Sequence, residues 1–197
     1  MGGAASSERF FITGEAEADE LLARDPLALV LGMMLDQQVP MEWAFASPAR
    51  LAQRLGGRLD AREIAAMDPE VLEAAFKERP ALHRYPGSMA KRAQALCQVL
   101  VDDYDGEAER VWAGAASGDE LLGRVRSLPG FGDEKARIFV ALLAKRRGVR
   151  PPGWEQAAAP FSDDVRRSVA DASSPAALEE VRAFKKARKA AGKGKAD

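Results

Sequence analysis

The residues with the most chemical content run from Ser127 to Ala136, Ser-Leu-Pro-Gly-Phe-Gly-Asp-Glu-Lys-Ala. Gly130 and Gly132 permit a tight reversal with positive φ, which lets backbone come close to a ligand. Gly132 stands before a segment with apolar residues at helical spacing (Ile138, Phe139, Leu142, Leu143). The free N–H groups and dipole at that helix start would favour an anion such as a DNA phosphate. Upstream, Leu121, Leu122 and Val125 also recur at helical spacing, so the whole reads as a helix-hairpin-helix. The same glycines also suit a plain turn between two helices.

Other reactive side chains are few. His83 is the sole histidine and lies in the loop 79–87 beside Arg84 and Tyr85. Nothing in the sequence marks a triad or a metal set around it, so it reads as structural. Cys97, the one cysteine, excludes an intrachain disulfide and any zinc or iron–sulfur site built from several cysteines of this chain. Its helical setting reads as core packing. Gln38 extends a buried stripe of Leu27, Val30, Leu31, Met34 and Leu35, on a helix expected to stop at Val39-Pro40. A polar residue at the end of such a stripe belongs at a cleft rim or in a cap. Lys91 and Arg92 are expected on the first turn of a helix over 89–104. There they are either phosphate contacts or two solvated charges.

These residues need helices to position them. Alanine and leucine dominate the 197 residues, and 47% are hydrophobic. That composition suits packed helices better than sheets. Helices are expected from Glu15 to Arg24 and from Asp25-Pro26 onward, then over 40–46, 47–55, 60–67, 69–78, 89–104, 118–127, 133–147 and 175–191. No run approaches the roughly 18 apolar residues of a membrane span. The N-terminus lacks a basic region followed by an apolar core, so the cytoplasm is the default. Net charge is −1, yet residues 182–197 hold seven Lys/Arg and one acid. That basic end either adds counterion-release affinity for nucleic acid or is a solvated helix end.

The order of features resembles the helix-hairpin-helix/Gly-Pro-Asp superfamily of base-excision DNA glycosylases. Leu35-Asp36-Gln37-Gln38-Val39 looks like an early helix of its 3-methyladenine glycosylase II branch. Met89–Leu96 looks like the helix before the hairpin, and Ser127–Ala136 like the hairpin itself. The likeness is nearer to that branch than to endonuclease III, in an uncharacterised actinobacterial-type group. It implies an all-α fold of two helical lobes with a DNA-binding cleft between them. Residues 1–185 would form a single domain, with a central lobe at about 40–147 and the N- and C-terminal helices in the second lobe. Residues 186–197 would be a disordered basic tail.

The resemblance further implies a monomer acting on double-stranded DNA that carries a modified base, in the cytoplasm with the nucleoid. The base would be flipped into the cleft. Gln38, Lys91, Arg92, Gly130, Phe131, Gly132 and Lys135 would contact DNA, and Trp43 and Trp154 would line a base pocket. A monovalent cation would be the one optional companion at the hairpin, with no metal and no iron–sulfur cluster. N-glycosidic cleavage builds oxocarbenium character that an ionised carboxylate stabilises. The superfamily carries that Asp after the hairpin, which implies Asp164, with Asp171 and Asp163 as alternatives. The bland alternative is that these acids cap helical turns. Bifunctional members use a hairpin lysine for strand cleavage. The matching position is Glu134, and Lys135, one residue on, is turned about 100° away. A monofunctional glycosylase without AP lyase activity is therefore expected, against the rival of a non-catalytic DNA-binding protein.

Overall fold

The computed structural model describes residues 9–192. Among them are ten α-helices, two short 3₁₀ turns and no strand. The all-α class is as expected. None of these helices is long and apolar enough to cross a membrane.

The chain begins with α1 (Ala16–Arg24), α2 (Pro26–Leu35) and α3 (Met41–Arg54), which pack on one another. Asp25 starts α2 by accepting from the N–H groups of Leu27 and Ala28, with Pro26 in the first turn. Every residue from Leu27 to Leu35 is buried. Gly32 lets α3 come close, since a Cβ there would lie 2.7 Å from the Phe45 ring. The helix ends at Leu35, not at Val39-Pro40, so Gln38 sits in the following turn with a φ of 56°.

Helix α3 is continuous where two helices were expected, with Pro48 inside it. Burial of Ala44, Phe45, Ala46, Leu51 and Ala52 on one side holds it together across the proline. The Ser47 hydroxyl lies 2.8 Å from the Trp43 carbonyl and 2.6 Å from that of Leu82, tying α3 to the loop beyond.

Helices α4 (Ala61–Ala66) and α5 (Pro69–Lys77) pack on the long α6 (Pro86–Tyr104). Asp60 and Asp68 cap the first two. Because α6 starts at Pro86, Lys91 and Arg92 lie in its second turn, not the first. The hairpin follows as α7 (Gly118–Arg126) and α8 (Asp133–Arg147), with α9 (Trp154–Ala158) against both. Helix α8 is buried from Ile138 to Ala144. Phe139 takes Phe131 and Trp112 edge-on, at 5.6 and 6.0 Å between ring centroids. Helix α10 (Pro175–Ala190) closes the fold.

One apolar cluster of buried residues runs from Phe10 to Val181. The expected lobe boundary near residue 40 falls between α2 and α3, which pack directly on each other. Residues 186–190 are helical, as the helix expected over 175–191 has them and not as part of a disordered tail, while 193–197 lie outside the described residues.

Candidate functional site

The hairpin turn is built on two buried apolar anchors, Leu128 and Phe131. The Phe131 N–H donates to the Leu128 carbonyl at 3.1 Å and closes the turn. The two glycines then do different work. Gly130 has φ +89°, and a Cβ on it would lie 2.8 Å from Arg92 Cδ and 2.9 Å from Met34 Cγ. Its role is close approach between the hairpin, α2 and α6. Gly132 is the N-cap of α8 with ordinary φ, and a Cβ there meets nothing within 4 Å. No side chain caps α8, and its first intrahelical bond is from Ala136 N–H to the Gly132 carbonyl. The N–H groups before Ala136 precede that first bond, as at any helix start.

The negative charge of Asp133 at this point is balanced. Its carboxylate pairs with Arg137 at 2.8 Å and Arg126 at 2.5 Å. The Arg137 guanidinium, helped by Arg126, holds that carboxyl below the usual range. The neighbouring Glu134 instead lines a cleft of ≈ 910 Å³.

That cleft lies between the α2–α3 corner, the start of α8, and α10. Its lining includes Asp36, Glu42 and Glu134, and Gln38 opens onto it. Arg182, Lys185, Lys186, Arg188 and Lys189 of α10 line it as well, as does Arg84, and Arg182 pairs with Glu42. Gln38 and the hairpin, 90-odd positions apart in the chain, thus meet at one cavity. The rim holding Gln38 is fixed by His83. The buried imidazole donates through Nε2 to the Gln37 carbonyl at 2.9 Å, while its Nδ1 accepts from Tyr85 N–H at 3.0 Å. Burial pushes the His83 pKa down, and the Lys135 and Arg92 charges push the same way. The lone histidine is structural, as its sequence setting suggested.

Several expected contacts lie elsewhere. Phe131 has its side chain in the core, so only its backbone borders the hairpin surface. Lys135 Nζ donates to the Met34 carbonyl at 2.9 Å, which turns it toward the end of α2. Arg92 lies against Gly130, while Lys91 is exposed near Glu73 of α5, whose carboxyl is lowered chiefly by Lys77 and in lesser part by Lys91. Trp43 donates to the Ala81 carbonyl at 3.0 Å and lines a different recess. Trp154 stacks near Arg150, 5.9 Å from guanidinium carbon to ring centroid, beside α7. Neither tryptophan lines the Gln38 cleft, so they do not form a base pocket there.

The three aspartates gather near the far end of α8. Asp171 is buried and accepts from Lys145 Nζ at 2.6 Å, from the N–H groups of Arg167 and Ser168, and from the Ser168 hydroxyl. It is a structural capping residue. Asp163 accepts from Arg167 at 2.5 Å and from Val165 N–H. Asp164 is exposed and opens onto a recess of ≈ 440 Å³ with Lys145, Arg146 and Arg166. The Asp-Asp pair is followed first by a 3₁₀ turn at Val169–Asp171, and the next α-helix, α10, starts only at Pro175. Lys145 lies eleven residues beyond Glu134, about 16 Å along α8.

Sequence reasoning singled out the basic end 182–197 but not its place on the cleft, and it missed Glu42 and Arg84. The i, i+3, i+4, i+7 spacing of Arg182, Lys185, Lys186 and Lys189 was a readable signal for the basic face of α10.

Cys97 is buried, and that burial pushes its thiol up to about 12, which leaves it an inert core residue. Among the described residues, no group of three or more His, Cys, Asp or Glu side chains is placed to hold a metal ion.

A search of curated proteins finds no match. Among solved structures, the chain is similar to a trapped endonuclease III–DNA covalent intermediate in an estranged-adenine complex. That match has 20% identity and a TM-score of 0.47, and covers 82% of this chain and 74% of that one. A family model described as HhH-GPD superfamily base excision DNA repair protein matches residues 31–190, which include α3 to α10 entire, the hairpin and every residue lining the cleft. The chain therefore belongs to the HhH-GPD superfamily of base excision DNA repair proteins.

Proposed function

We propose that this protein is a monofunctional DNA glycosylase that hydrolyses the N-glycosidic bond of a modified base flipped from double-stranded DNA. The observation that carries the reading is the meeting of Gln38, the open N-terminus of α8 and Glu134 at one cleft. The α8 N–H groups would hold a backbone phosphate and Gln38 would lie beside the flipped nucleotide. In hydrolysis the C1′–N bond breaks and a water oxygen bonds to C1′. The water proton passes to a carboxylate and then to the departing base. That carboxylate also stabilises the positive sugar in the transition state.

Two carboxylates compete for this role. Glu134 occupies the position at which bifunctional relatives carry their lysine nucleophile, and it lines the cleft with Gln38. A carboxylate there supplies charge at the sugar without forming a Schiff base, which supports hydrolysis without strand cleavage. Asp164 has the chain position of the family's acid, but opens on the other recess. Its role would require the segment 161–168 to turn toward the hairpin when DNA binds. Asp171 and Asp163 are less apt, since their oxygens are engaged by Lys145, Arg167 and Ser168.

The working form is a monomer near the nucleoid with no cofactor. A monovalent cation, if present, would sit on main-chain carbonyls of the turn 127–132.

The test is incubation with duplexes carrying uracil, hypoxanthine, alkylated or oxidised bases, followed by alkali. Base release by the wild type is expected, with strand breaks only after alkali. E134Q should lower the rate at least about 100-fold, and D164N much less. The reverse order would give the role to Asp164. Strand breaks without alkali would overturn the monofunctional reading. Binding with no release on any duplex would favour a non-catalytic DNA-binding protein.

A further inference from the structure

Helix α10 has two halves of different character. Its first half is anchored by the buried Ala177, Leu178 and Val181. Beyond Val181 no described residue is buried, and this half runs along the cleft. Arg182, Lys185, Lys186 and Lys189 all line the cleft, and their spacing puts them on one helical stripe. Arg182 pairs with Glu42 of α3 and with Glu179 on its own helix. Lys185 Nζ lies 3.5 Å from Met41 Sδ at the start of α3. Phe184 lines the same space, with the Arg188 guanidinium 5.6 Å from its ring centroid.

The lining therefore holds charges of both signs, with α10 supplying most of the positive ones. A polyanion entering the cleft is attracted by α10 and repelled by Glu134, while Glu42 is already paired with Arg182 and Asp36 is buried. We propose that residues 182–189 of α10 form the backbone-binding wall of the cleft, and that its occupant is the phosphate row of a DNA strand. The inference rests on the reading of the cleft as a DNA site. The stripe from Arg182 to Lys189 is about 10 Å long. At roughly 3.4 Å of axis per phosphate in one strand, it faces about three phosphates. With phosphates on α10, the sugars and bases of that strand turn toward Glu134. Phe184 adds an aromatic face among the cations, a combination suited to nucleic acid.

The test uses the full chain and duplex DNA with and without a modified base. Lys186 and Lys189 are exposed, so K186Q/K189Q should fold as the wild type does, checked by circular dichroism and melting. Binding is followed by fluorescence anisotropy between about 50 and 200 mM salt, the range over which counterion release is resolved. The slope of log K against log salt should become shallower by about 1.8, at roughly 0.9 per lost phosphate contact. K186R/K189R should keep the wild-type slope. R58Q/R110Q removes the same charge away from the cleft and should keep it too. An unchanged slope in K186Q/K189Q, or an equal change in R58Q/R110Q, overturns the proposal. A shallower slope without base release by the wild type leaves α10 as a DNA wall and removes the enzyme reading. Base release with an unchanged slope removes only the α10 proposal. No DNA binding by the wild type removes both.

Discussion

The ammonium of Lys135 lies 2.9 Å from the carbonyl oxygen of Met34, joining residues 101 positions apart. Lys135 belongs to the first turn of α8, and Met34 to the last turn of α2. A cation at the C-terminal end of a helix is favoured by the dipole and by unsatisfied carbonyls. This contact turns Lys135 away from the cleft and leaves Glu134 as the hairpin side chain that faces it. Lys135→Met keeps the apolar stem and removes the donor. It should cost about 1.5–3 kcal/mol in urea unfolding, as for a hydrogen bond made by a charged group. Loss of DNA affinity without loss of stability would instead make Lys135 a phosphate contact.

The two hairpin glycines should separate by substitution. Gly130→Ala forces a Cβ onto Met34 and Arg92 at a positive φ, so unfolding free energy should fall by about 2 kcal/mol or more. Gly132→Ala meets no atom and no backbone strain, so its cost should stay near the few tenths of a kcal/mol to about 1 kcal/mol typical of an N-cap change. Its effect should appear in DNA affinity, since the added methyl lies at the open N-terminus. Equal stability losses for the two variants would contradict this division.

Asp171 should behave as a structural residue. It accepts from two main-chain N–H groups and from Ser168 and Lys145 while buried. Asp171→Ala leaves Lys145 without its carboxylate partner and should cost about 3–5 kcal/mol. If the variant keeps wild-type stability and loses base release, Asp171 is catalytic after all.

His83 makes stability depend on pH in a stated direction. Its folded pKa is lowered below the ordinary 6.5, so the folded state prefers the neutral ring. The stability this gives is complete above the unfolded value near 6.5, and is lost as pH falls below it toward the folded pKa. Urea unfolding between about pH 5 and 8 should show stability declining on the acid side. His83→Gln should flatten that decline while lowering stability at pH 8. A decline unchanged in His83→Gln would assign it to other groups.

Much of this was readable from the chain. The hairpin ends at 118–127 and 133–147 match closely, because the glycines, Pro129 and two apolar stripes all act locally. The role of His83 was readable in outline, since no partner set surrounds it in sequence. The α3 helix was not readable, because a buried face carries it through Pro48 against local preference. Gln38 was placed on a helix face when it stands in a turn pinned by His83, 46 positions from Gln37.

By itself the sequence determined the helical class, the hairpin and the family likeness, all of which depend on periodicity and on residues close together in the chain. Only the tertiary structure decided which charges share a cavity. It brought Glu134, Glu42 and the basic face of α10 to Gln38, and left Asp164 near the other end of α8. The physical reason is that a cleft is made by helix ends and faces far apart in sequence. Their packing is set by contacts such as Met34–Lys135, Arg182–Glu42 and the close approach at Gly130. None of these leaves a local pattern.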